Sequence, residues 1–179
     1  MKRPEIFDVV LQDWKPQHPI LKFITNLQDK IDNGKFNHAM LYLFDGICVQ
    51  SNWKGPEFIK IDIHNSMYKF RRHPKAKNIP NKELYELVIR YMSERKKYSF
   101  SGLYNAGIYK LFEYIGIKFK LGTKLADFAI NWLKLKEEIN PFCSELCVEL
   151  LSKASLNTGL NLNFTTPNDL DRNRKLKNV

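Results

Sequence analysis

Three polar side chains set far apart in the chain carry the chemistry this sequence can offer: Cys143, His38 and Gln50. A thiol beside an imidazole is a nucleophile with its base. A third polar group that orients the ring completes a set able to transfer acyl groups through a thioester. His38 and Cys143 are 105 positions apart, so only the fold can bring them together.

The cysteine sits in Asn140-Pro141-Phe142-Cys143-Ser144-Glu145-Leu146, which reads as a helix entry. Asn140 is a favourable N-cap, and Pro141 suits the first helical position because its missing N–H would have gone unpaired there. Cys143 then falls in the first turn, where free backbone N–H groups and the helix dipole favour a thiolate. Cys143, Leu146, Cys147, Leu150 and Leu151 share one helix face, which points the sulfur toward whatever the helix packs on. An inert buried cysteine would sit equally well on that face, the commoner fate of the residue type. Cys147, one turn deeper, and Cys48, in an apolar run, read as core. An odd number of cysteines with no CxxC pair argues against a disulfide framework. A zinc site from Cys143, Cys147, Cys48 and a histidine is the competing use, with weak spacing to support it.

His38 opens His38-Ala39-Met40-Leu41-Tyr42-Leu43-Phe44, and Gln50 closes Ile47-Cys48-Val49-Gln50. Asp45-Gly46 between them is a strong hairpin signal. A two-residue turn pairs Phe44 with Ile47 and sends Gln50 to the face opposite His38. A three-residue loop with Gly46 as a left-handed bulge pairs Leu43 with Ile47, setting Gln50 across from Met40 on the same face as His38. The sequence leaves both open. A histidine that is merely polar at a strand start fits the first.

The elements around these motifs indicate an α+β domain, with strands concentrated in the first half and helices in the second. Strands are expected at Ile6–Leu11, along the hairpin, at Phe58–Ile63 and at Met67–Arg71. Helical spacing runs from Ile20 to Ile31, from Leu84 to Met92, from Leu103 to Tyr114, from Leu125 to Leu135 and from Cys143 to Leu151. One domain is expected over residues 1–170, followed by a basic, disordered tail over 171–179.

The 179 residues are 44% hydrophobic and 27% charged, an ordinary globular composition, and no apolar run approaches a membrane span. The opening Met1-Lys2-Arg3-Pro4-Glu5 does not lead into a signal core, so a cytoplasmic location is expected. A net charge of +10 suits an acidic polymer or an anionic membrane surface. The lysines and arginines are spread along the chain, however, which favours a general solvated face over a dedicated patch. No helix-turn-helix, zinc finger or glycine-rich phosphate loop accompanies the charge, and specific nucleic acid recognition is not expected.

His38-Ala39-Met40-Leu41-Tyr42-Leu43 with Asp45-Gly46 and Gln50, followed late in the chain by Phe142-Cys143-Ser144-Glu145-Leu146, resembles the circularly permuted papain-like amidases of the NlpC superfamily. In that group the histidine strand precedes the cysteine helix, the reverse of the order in papain. Softer echoes lie in Ile6-Phe7-Asp8-Val9-Val10-Leu11, Tyr98-Ser99-Phe100-Ser101-Gly102-Leu103 and Thr166-Pro167-Asn168-Asp169-Leu170.

The resemblance implies an antiparallel sheet packed against helices, with the cysteine on a helix N-terminus. It also implies Cys143 as nucleophile, His38 as base and Gln50 as the third polar residue, acting on a peptide or other amide substrate without metal or organic cofactor. Many relatives carry glutamate or histidine in the third position. A glutamine can hold the ring through its carbonyl but offers the imidazolium no negative charge. The lecithin:retinol acyltransferase-like group shares the permuted order and would imply a lipid substrate. Its Asn-Cys-Glu-His-type motif does not match Phe142-Cys143-Ser144-Glu145. A basic binding module without catalysis is the remaining alternative.

Overall fold

The computed structural model describes residues 3–13, 34–52, 55–94, 143–162 and 165–179. Within them the protein is α+β, with an open antiparallel sheet of six strands in the order β4-β3-β2-β1-β5-β6. The strands are β1 (Val9–Gln12), β2 (His38–Phe44), β3 (Ile47–Asn52), β4 (Gly55–Lys60), β5 (Tyr68–Arg72) and β6 (Lys177–Asn178). The helices are α1 (Asn81–Ser93), α2 (Cys143–Lys153) and α3 (Pro167–Arg172). The expected helices within 20–31, 103–114 and 125–135 lie outside the described residues, as do Asn140, Pro141 and Phe142.

Period-2 alternation sorts the strand side chains between two cores. Ala39, Leu41 and Leu43 of β2, with Val49 of β3, join Leu146, Cys147, Leu150 and Leu151 in the larger cluster. Helix α2 packs on β2 and β3. Met40 and Tyr42 join Val10, Cys48, Ile61 and Phe70 on the opposite face. There the Tyr42 and Phe70 rings meet edge to face at 6.3 Å. Among the described residues no helix is long and apolar enough to cross a membrane.

Three boundaries differ from the sequence expectation. The first strand begins at Val9, not Ile6, because Phe7 takes a left-handed conformation (φ 66°) and the chain turns from Glu5 to Asp8. The buried Asp8 carboxylate there accepts from the Glu5 N–H at 2.8 Å and from Arg72 Nε at 2.7 Å, tying the chain ahead of β1 to β5. The strand expected over Phe58–Ile63 runs instead from Gly55 to Lys60, and beyond its end the Ile61 N–H donates to the Gly46 carbonyl.

The third difference is the 171–179 segment, which is ordered where a disordered tail was expected. Leu176 is buried, and Lys177–Asn178 pair with Arg71–Arg72. The Arg71 guanidinium donates to the carbonyls of Asn173 at 2.8 Å and Leu176 at 2.6 Å, replacing the water those groups would otherwise need. Ahead of it, Thr166 and Asp169 form a reciprocal capping box that fixes the start of α3.

Candidate functional site

The hairpin takes the two-residue turn of the first sequence alternative; the three-residue loop pairing Leu43 with Ile47 does not form, yet Gln50 reaches the side that loop would have given it. Phe44 pairs with Ile47 across a two-residue turn, and Asp45 (φ 45°) and Gly46 (φ 79°) both take the left-handed conformation of a type I′ turn. A Cβ on Gly46 would stand 2.5 Å from the Ile61 carbonyl oxygen, so glycine is required there on two counts. One residue before Phe44 in the chain, Leu43 bulges: Tyr42 pairs with Cys48 and Leu41 with Val49. That extra residue shifts the register and sets Gln50 across from Met40, on the face His38 shares.

Across that face His38 Nε2 lies 2.6 Å from Gln50 Oε1. The ring also lies close to the first residue of α2, near enough that the Cys143 thiol and the His38 imidazole each favour the other's charged form. The structure thus brings together all three residues singled out in the sequence. Cys143 is 6% exposed, while His38, the first residue of β2, keeps part of its surface open. The contact lies where β2 and the described part of α2 both begin.

The pair is polarised. Burial pushes the Cys143 thiol up, but the His38 charge, the hydrogen bond to it, and the backbone N–H groups of Ala39 and Ser144 outweigh burial and hold it below the ordinary thiol value. Burial likewise disfavours the His38 imidazolium. Cys143, the Gln50 hydrogen bond and the Glu57 charge reverse this, and the ring titrates above the ordinary histidine value. Each group is thus shifted by the other in the direction of a thiolate–imidazolium pair.

Behind Gln50 stands a residue that sequence reasoning missed. Glu57 is the cross-strand partner of Gln50 on β4, and Gln50 Nε2 donates to Glu57 Oε1 at 2.7 Å. Asn52 Nδ2 donates to the same oxygen. The only sequence signal was spacing: two residues separate the ends of β3 and β4, which puts Gln50 and Glu57 opposite one another.

The other cysteines take no part. Burial pushes the Cys48 thiol up to about 12, and burial together with the neighbouring sulfurs pushes Cys147 well above its ordinary value. Among the described residues no group of three or more histidine, cysteine, aspartate or glutamate side chains is arranged to hold a metal ion. Compared with family models, curated proteins and solved structures, the chain gives no match in any of the three.

Proposed function

We propose that the protein is a cysteine hydrolase that cleaves an amide bond through a thioester, on a circularly permuted papain-like arrangement in which the histidine strand precedes the cysteine helix. The observation that carries this reading is the relay from the Cys143 sulfur to the His38 ring to the Gln50 carbonyl. Supporting it are the opposite shifts of the two titrating groups and the histidine-before-cysteine order.

In this mechanism His38 takes the Cys143 proton and the thiolate attacks the carbonyl carbon, forming the S–C bond. The Ala39 and Ser144 N–H groups that favour the thiolate would be the donors offered to the developing oxyanion. The intermediate collapses with cleavage of the C–N bond, and His38 returns the proton to the leaving amine. Water, deprotonated by His38, then attacks the thioester and releases the acid. Every proton movement runs through one ring.

The test is capture of the acyl-enzyme. Peptidyl p-nitroanilides and, in parallel, acyl-phospholipids are offered to the full-length protein, and intact mass is read during turnover. Amine release with an acyl adduct on Cys143 is expected, and Cys143→Ser should reduce release by about 10³-fold or more. An adduct formed only from the lipid would move the activity to the acyltransferase class. No adduct from either, with Cys143→Ser unchanged in every assay, would leave a binding module.

A further inference from the structure

A glutamine amide is ambiguous: its oxygen and nitrogen ends are nearly the same shape, and either could face the ring. Here the neighbour decides. An ionised carboxylate accepts and does not donate, so Glu57 requires the nitrogen end of Gln50, which donates to it at 2.7 Å. The oxygen end must then face His38, at 2.6 Å from Nε2. A carbonyl oxygen in turn requires that Nε2 carry the proton. Nδ1 is left with its lone pair, which is the form of the ring that can take a proton from a thiol. Asn52, donating to the same Glu57 oxygen, holds the carboxylate in place.

We propose that Glu57 is a positioning residue for the Cys143–His38 pair, fixing the orientation of the Gln50 amide and hence the tautomer of His38. It also provides, one hydrogen bond removed, the negative charge that a glutamine in the third position lacks. Among the described residues the charged or titratable groups acting on His38 are Cys143 from α2 and Glu57 from β4. In Glu57→Gln the amide is free to turn over, its NH2 end would select the wrong tautomer, and the imidazolium would lose the one carboxylate that acts on it among the described residues. This inference rests on the reading of Cys143 as a nucleophile paired with His38, and it adds a fourth member that reaches the sulfur only through two others.

The experiment alkylates the full-length protein with iodoacetate, an anion drawn to Cys143 only while the His38 ring is protonated. The rate is followed by mass spectrometry from about pH 5 to about pH 10, bracketing the ordinary histidine and thiol values. Wild type should give a bell whose alkaline limb reports the ring. In Glu57→Gln that limb should fall by about half a unit or more, a change expected of one lost charge across a partly buried relay. The swap Gln50→Glu/Glu57→Gln keeps the cross-strand hydrogen bond and moves the carboxylate onto the ring; its limb should return to or exceed the wild-type position. Ring nitrogen shifts above the limb should show the Nε2–H tautomer in wild type and a mixture in Glu57→Gln. An unchanged limb and tautomer in Glu57→Gln, or a lowered limb in the swap, would overturn the role of Glu57 while leaving the Cys143–His38 pair standing. A wild-type profile with no bell, unaltered by His38→Ala, would remove the pair and Glu57 with it.

Discussion

Cys143 and Cys147 stand one helical turn apart on α2, both buried, and burial opposes ionisation at each. Yet they move in opposite directions. Around Cys147 the neighbours are Leu146, Leu150, Leu151 and their apolar partners, and the groups that act on it electrically are other sulfurs. Around Cys143 are a ring that can carry charge and two backbone N–H groups. The helix supplies position to both, and the start of β2, together with the Ser144 N–H, supplies chemistry to one. A buried cysteine becomes reactive through what faces it across the interface, and the lone feature of helix placement does not suffice.

The widest separation should appear in the unperturbed protein. Iodoacetamide at about pH 6 is expected to label Cys143 at least about 10³-fold faster than Cys147 or Cys48, whose thiols stay protonated. Peptide mapping after partial labelling measures this, and equal modification of all three cysteines would erase the contrast. The fast window should open below the ordinary thiol range, because the Cys143 value is lowered. For an anionic reagent it should close above the ordinary histidine range, because the His38 value is raised.

His38→Ala should collapse most of that separation, slowing Cys143 at the same pH by about 10²-fold as its thiol, still buried, returns upward. Gln50→Leu should cost about tenfold, since the ring remains but turns freely; a loss as large as that of His38→Ala would mean that the glutamine does more than orient. The smallest effect belongs to the second turn. Cys147→Ala should leave Cys143 labelling within about twofold and lower stability by about 1 kcal/mol, the cost of a small cavity, read by denaturant unfolding.

Much of this was legible in the chain because each signal was local. Asp45-Gly46 is a turn by its own conformational preferences, and Cys143 to Leu151 show helical spacing without help from elsewhere. The Leu43 bulge was not legible, because whether a strand accepts an extra residue depends on the sheet it joins, and both turn hypotheses omitted it. Glu57 escaped for the same reason: its meaning lies in the β3–β4 register, and on its own strand it is one polar residue between Pro56 and Phe58. The 171–179 segment misled by composition. Its charges suggested a solvated tail, whereas the buried Leu176, Val179 packed against the second core, and the distant Arg71 anchor it. The three side chains reached one another because the hairpin joins two of them and helix packing brings the third.

The outer strands of the sheet carry a further consequence. Among the described residues one border is β4, with Pro56 removing a main-chain donor, and the other is β6, two residues long and bearing Lys177. Blunt margins of this kind discourage a foreign segment from zipping onto the ladder. If the proposed amidase reading holds, a polypeptide substrate is therefore expected to be held by side chains and turns more than by main-chain pairing with β4 or β6.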